Sequence, residues 1–450
     1  MTETVAGGTG ATGTSRAASP RRFAALALPA LVVLSAEPLY VLVDTAVVGH
    51  LGRVPLAALA IGGTVLTLVA WLGTVTAYGT TGRAARRFGS GDRSAAVAEG
   101  VQASWLALAV GLLLAAAAQF GAGALAGTLA GAGSEAAGEA ARWMRIAALG
   151  APGLLLAAAG NGWLRGVQDT RRPVLFVLGP CLLSAVLCPV LVYPAGLGLA
   201  GSAVANVVAQ TLSGALFASA LVAERTPLRP RPRMIRQQLV LSRDLLIRGL
   251  AFQASFLSAT SVASRFGVAT VAAHQIAVQL WFFTALAMDA LAIAAQSLVG
   301  AALGAGDADG ARWLARRVAL IGAVCGVGFA VLIAAGAGVV PSWFSSDPQV
   351  HGEAMLAWPW FVAMQPLAGV VFALDGVLIG AGDIRYLRNL TVVAATGAFL
   401  PAIWGAYVLD LGLGGIWAGL TLFVVARLIG LLLRLRSGRW VVTGAVRPSG

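Results

Sequence analysis

The sequence predicts an all-α integral membrane protein with twelve transmembrane helices in two six-helix bundles, related by a pseudo-two-fold axis along the membrane normal. Three observations carry this. The 450 residues are 58% hydrophobic and 11% charged, where an ordinary soluble domain has about 25% charged residues, and the mean hydropathy is +0.85. Twelve apolar runs reach the roughly 20 residues that a bilayer crossing needs. The last six of these runs repeat the first six in register.

In chain order, residues 1–22 are rich in Gly, Ala, Thr and Ser, carry no apolar run, and are expected to form a disordered cytoplasmic tail. The first run starts at Phe23 and contains two acids, so it is expected to stay as the first span and not to be cleaved as a signal peptide. Spans are expected near 23–48, 54–80, 97–120, 144–164, 173–194 and 197–222, giving an N-terminal lobe over 23–222. Residues 223–243 hold Pro227, Pro230, Pro232 and a run of arginines, and read as a cytoplasmic linker, with anionic lipid as a further partner for its charge. The second six are expected near 245–264, 268–300, 318–340, 355–380, 389–409 and 411–433, forming a C-terminal lobe over 244–436, with a cytoplasmic tail over 437–450. Glycines and prolines inside the runs are tolerated because neighbouring helices satisfy the freed backbone groups.

The repeat is explicit. A shift of 215 pairs Gly52 with Gly267, Ala57 with Ala272, Ala58 with Ala273 and Ile61 with Ile276, then Gly89, Gly91 and Asp92 with Gly304, Gly306 and Asp307. A shift of 214 pairs Pro152 with Pro366, Gly162 with Gly376, Gly166 with Gly380, Asp169 with Asp383, Arg171 with Arg385 and Gly201 with Gly415. Each half has an even number of spans, so both begin on the same side of the membrane.

The formal net charge is +13, and all 31 basic residues are arginine. In a soluble chain such an excess would suggest nucleic acid; here the arginines cluster between alternate apolar runs, which excludes a nucleic-acid partner and places both termini in the cytoplasm by the positive-inside rule. Cys181, Cys188 and Cys325 fall in apolar spans. No disulfide framework, metal site or cofactor is implied by them. No HExxH or GxSxG lies in a span, so no catalytic residue is assigned and an intramembrane enzyme is disfavoured, as is a non-transporting scaffold.

The most informative residues are acids inside the spans: Glu37 and Asp44 in the first, Asp289 in the eighth, Asp375 in the tenth. A charge at the bilayer centre costs roughly 2.5–3.5 kcal/mol on insertion scales, so such a residue faces a cavity, a partner or an ion. Glu37 and Asp44 are seven residues apart, two turns along one helix face. They are expected to share a cavity and to suit reversible protonation. Pro38 leaves the Leu34 carbonyl without its helical donor and is the expected bending point. The repeat aligns Asp289 and Asp375 with Thr74 and Asn161, so the lobes are expected to perform different tasks. The intramembrane amides mainly join helices; Asn161, Asn206, Gln210, Gln253 and Gln296, with Tyr40, are the candidates for a substrate cavity. Arg427 is expected to snorkel to the headgroups, and Asp92, Asp307, Asp169 and Asp383 to pair with nearby loop arginines.

The stretch EPLYVLVDTAVVGHLG (Glu37–Gly52) resembles the MATE family of multidrug and toxic compound extrusion transporters, in its DinF-like branch. RGVQDTRRP (Arg165–Pro173), AAHQIAVQLWFF (Ala272–Phe283), DALAIAAQSLVGAALGAGD (Asp289–Asp307) and QPLAGVVFALDGVLIGAGD (Gln365–Asp383) support it, and the likeness runs from the first span to the twelfth. The resemblance implies a secondary antiporter of the cytoplasmic membrane, working as a monomer by alternating access between two lobes. It would export bulky, often cationic organic compounds on an inward proton or sodium gradient, with Asp44, Glu37, Asp375 and Asp289 as ion-coupling candidates. A flippase for lipid or lipid-linked oligosaccharide is the alternative within the same superfamily, and it would require several arginines or lysines in the cavity to hold phosphate. The chain departs from its branch in the fifth span, where Cys181, Ser184 and Cys188 stand at positions at which relatives carry Asn, Asn and Asp. A two-carboxylate site between the first and fifth spans is therefore excluded.

Overall fold

The computed structural model describes residues 20–446, so most of the anticipated N-terminal tail and the last four residues lie outside the described residues. Twelve helices are long and apolar enough to cross a membrane: α1 (Pro20–Gly49), α2 (Arg53–Gly89), α3 (Arg93–Ala130), α4 (Glu135–Gly166), α5 (Arg171–Val192), α6 (Leu199–Ala223), α7 (Pro232–Phe266), α8 (Val268–Gly304), α9 (Ala308–Ala335), α10 (Pro348–Gly380), α11 (Ile384–Val408) and α12 (Gly412–Arg436). Two are not uniform. α4 passes through one 3₁₀ turn at Ala148–Gly150, and α11 through a π-turn at Ala395–Phe399 just before Pro401, which lacks the N–H an α-turn would use. Helix α1 begins at Pro20 and runs unbroken through Pro29 and Pro38.

The chain divides into two compact units, Pro29–Leu246 and Ile247 onward, the start of α1 through Leu28 grouping with the second. In the first unit α4 is central, packed on α2, α3 and α6; in the second, α10 holds the corresponding place among α8, α9 and α12. Glycine makes these approaches close. A Cβ on Gly162 would lie 2.7 Å from the Ala77 carbonyl oxygen, and one on Gly376 would lie 2.2 Å from that of Ala292, the repeat partner of Ala77. Thr81 adds a hydrogen bond to the Gly162 carbonyl at 3.0 Å.

The paired loops repeat in detail. Gly52 and Gly267 take φ of 121° and 133° ahead of α2 and α8, and Gly91 and Gly306 take 83° and 81°, values that favour glycine. Asp92 accepts from Ala95 N–H and Asp307 from Gly310 N–H, each at 2.7 Å, so both cap the following helix. This corrects the expectation that these two acids pair with arginines. Asp169 does lie 3.4 Å from Arg172, and Asp383 lies 2.7 Å from Arg434.

The connection between the halves is shorter and more ordered than its arginine content suggests. α7 begins at Pro232, and the segment just before it finds partners on α3. Gln102 of α3 donates to the Arg229 carbonyl and accepts from Arg231 N–H, and Trp105 donates to the Leu228 carbonyl. Glu99, buried beside them, takes a 2.7 Å bond from Arg83, lies 3.6 Å from Arg87, and its carbonyl accepts from Gln238. In the second unit the chain after α12 also docks: Trp440 is buried and Gly444 N–H donates to the Leu303 carbonyl.

Candidate functional site

A cavity open at its mouth lies within the first unit. Five helices supply its polar wall: α1 gives Glu37 and Tyr40, α2 gives Thr74 and Tyr78, α4 gives Asn161 and Arg165, α5 gives Cys181, and α6 gives Asn206, Gln210 and Ser213. Five of the expected site residues, Glu37, Tyr40, Asn161, Asn206 and Gln210, are thereby brought together. The reason lies in helix periodicity: Asn206 and Gln210 are four apart on α6, and Glu37 and Tyr40 three apart on α1, so each pair shares a face. The Tyr40 hydroxyl stands beside Ser184 and Asn206, while the side-chain oxygen of Asn161 is buried without a hydrogen-bond partner. Such a group remains available to a solute that can satisfy it. Much of the remaining wall is apolar, including Val33, Leu34, Leu154 and Val177.

Asp44 does not share this cavity. It is 4% exposed and sits two turns beyond Glu37, where α5 closes over α1. There the Cys188 thiol donates to its Oδ1 at 3.2 Å, and Tyr193, just past α5, donates to the Val47 carbonyl at 2.6 Å. The two acids of α1 thus have different surroundings: Glu37 opens on the cavity, Asp44 is enclosed against α5.

In the second unit Asp375 is buried in α10 and held by two arginines, Arg248 of α7 and Arg427 of α12, each 2.5 Å from the same oxygen, Oδ2. Arg427 therefore does not snorkel; it is 3% exposed, because pairing with a buried carboxylate outweighs reaching for water. Asp289 is half-buried on α8. Gln296 is buried on α8, on the face that packs α10 at Gly380, and Gln253 faces outward on α7, so neither joins the cavity of the first unit. Trp358 is a core residue, donating to the Ile333 carbonyl.

Three participants were not singled out for these places from sequence. Arg165 reads as part of a basic loop cluster, yet it lies in the last turn of α4 and lines the cavity. Cys181 stands out in the sequence for the residue type it replaces and not as a cavity residue; Glu99 is one of the few acids near the start of a span, and that rarity was the available clue. Among the described residues no group of three or more His, Cys, Asp or Glu is arranged to hold a metal ion.

Comparison with known proteins gives a consistent result. The MatE family profile matches residues 29–190 and 245–404. The chain is 33% identical over 430 residues to Protein DETOXIFICATION 44, chloroplastic, of Arabidopsis thaliana, covering 92% of this chain and 82% of that protein. It is 32% identical to DNA damage-inducible protein F of Escherichia coli strain K12, covering 92% of both. A crystal structure of MATE in the bent conformation superposes with a TM-score of 0.85 at 22% identity, covering 96% of this chain and 97% of that one.

Proposed function

This chain belongs to the MATE family of multidrug and toxin efflux transporters, multi-pass membrane proteins that are not enzymes, and on that premise we propose that it is a proton-driven antiporter. It exports bulky, often cationic organic compounds across the cytoplasmic membrane, with both termini cytoplasmic. The observation that carries the reading is the cavity of the first unit, where the carboxylate of Glu37 stands among apolar walls and a few amide and hydroxyl groups. An apolar cleft with a few polar groups takes varied bulky solutes, and one carboxylate favours those with a positive charge. Against the flippase alternative, that wall carries Arg165 alone among arginines and lysines and not the set of cations that a phosphate headgroup needs.

The choice of proton over sodium rests on the donors around Asp44. Sodium, a hard cation, is held by several converging oxygens. At Asp44 the partner from α5 is a thiol, and the second cysteine of α5 lines the cavity where an amide oxygen would be looked for. A single carboxyl suffices for a proton. In the proposed cycle, protonation of Asp44 removes the negative charge that strengthens the bond from Cys188, loosens α1 from α5, and lets α1 bend at Pro38 to reshape the cavity wall that carries Glu37 and Tyr40.

The test is efflux of a fluorescent cationic dye from proteoliposomes under an imposed pH gradient or an imposed sodium gradient. Flux driven by the pH gradient and lost in Asp44→Asn is the expected result. Flux driven by sodium, or retained in Asp44→Asn, would refute the assignment.

A further inference from the structure

The geometry points to a binding site for a flat organic carboxylate on the Arg248–Arg427 pair of the second unit. α7, α10 and α12 each send one charged side chain to the same point, and the charged groups facing Arg427 are Asp375 and Arg248. Both arginines use Nη2, and both use it on the single oxygen Oδ2 of Asp375. Side-chain exposures are 13% for Arg248, 7% for Asp375 and 4% for Arg427. Two guanidinium charges therefore meet one carboxylate inside a membrane-spanning unit. An excess charge held away from water is costly unless it is paired, and an anion is what would pair it.

The unused donors are of the right kind. Nε of Arg248 and Nε of Arg427 are buried with no hydrogen-bond partner. On an arginine, Nε and a neighbouring Nη form the planar fork that takes a carboxylate with two bonds. Aromatic rings already cover the guanidinium faces: Phe252 lies 5.5 Å from Arg248 and 4.8 Å from Arg427, and Phe423 lies 5.7 Å from Arg427. Those rings are themselves packed edge to face at 5.6 Å. A ligand is confined to the guanidinium edges in an aromatic surround. That favours a flat aromatic carboxylate over a strongly hydrated inorganic anion. Arg248, the most exposed of the three, is the side from which it enters. Asp375 is then the resident competitor, a carboxylate of the chain itself occupying donors that a ligand can share or take over.

The site extends the range of compounds from cationic to carboxylate-bearing ones, and only that consequence for flux rests on the transporter reading; binding itself does not depend on it. Titration calorimetry on the purified full-length protein, with benzoate as the ligand and neutral benzamide as its isostere, tests the site without any gradient. Benzoate is expected to bind saturably and at least about tenfold more tightly than benzamide, the scale of a charge-assisted pair. Arg427→Gln and Arg248→Gln should each weaken benzoate by about tenfold or more, the second variant, at the more exposed member, standing in where the first does not fold. Asp375→Asn should strengthen benzoate, because it removes the competing charge and leaves both arginines. Equal affinity for benzamide, unchanged benzoate affinity in folded Arg248→Gln, or loss of benzoate binding in folded Asp375→Asn would each overturn the proposal.

Discussion

Cys188 of α5 donates its thiol to Oδ1 of Asp44 on α1 at 3.2 Å, so the buried acid of the first helix meets sulfur and not a second carboxylate. A thiol is a weak donor. Cys188→Ala should therefore cost little stability, about 1 kcal/mol or less by thermal unfolding. Its effect on flux should be larger: pH-gradient-driven efflux is expected to fall several-fold while dye binding is kept, a split that transport and binding assays on the same preparation will reveal.

Glu37 is the acid that opens on the cavity. Glu37→Gln should raise the apparent KM for a monocationic dye by about tenfold, the scale of one charge-assisted hydrogen bond, and leave the KM for a neutral substrate nearly unchanged. Equal losses for both dyes would mean that the residue supports structure and does not recognise charge.

The close helix approaches of the two units predict matched stability effects. Gly376→Ala places a Cβ 2.2 Å from the Ala292 carbonyl oxygen and Gly162→Ala one 2.7 Å from that of Ala77. Each should destabilise by about 1–3 kcal/mol through overpacking, read as a lowered unfolding temperature. Gly63→Ala, with nothing within 4 Å of its added methyl, is the control and should be neutral.

Glu99 is 1% exposed and its carboxylate faces Arg83 and Arg87. Glu99→Gln strips the acid from a mostly buried pair and should cost about 3 kcal/mol. Because Gln238 donates to the Glu99 carbonyl and Gln102 holds Arg229 and Arg231, the same variant should make the 224–231 connection easier to cleave by protease.

Beside the starts of α3 and α5, Glu224 is held below the ordinary glutamate value of 4.5, first by the hydrogen bond from Arg93 and then by the charges of Arg93 and Arg172. A carboxyl with a depressed folded-state pKa contributes stability that is fully present above the unfolded value and is lost as pH falls through the folded one. The difference in unfolding temperature between the natural protein and Glu224→Gln should thus be constant above about pH 5.5 and shrink below pH 4.5. A difference that grows on acidification would contradict the pairing.

Much of this protein was legible along the chain. Hydropathy gives the spans, because each helix in a bilayer must close its own backbone hydrogen bonds and present apolar surface over about 20 residues. The repeat gives the two halves, and its glycines recur in the structure at the same loop and packing positions, as at Gly91 and Gly306 or Gly162 and Gly376. The rarity of acids in the spans singled out Glu37, Asp44, Asp289 and Asp375.

What each acid meets was decided by tertiary structure alone. Glu37 and Asp44 lie on one helix face, yet α5 encloses one and the cavity receives the other. Cys188 is 144 residues from Asp44, and Arg248 and Arg427 are 127 and 52 residues from Asp375. Sequence spacing fixes a residue's face and depth on its own helix, because 3.6 residues make a turn and each adds 1.5 Å. Which helices then lie side by side, and whether a buried charge finds a thiol, an amide or two arginines, follows from the packing of small residues between them.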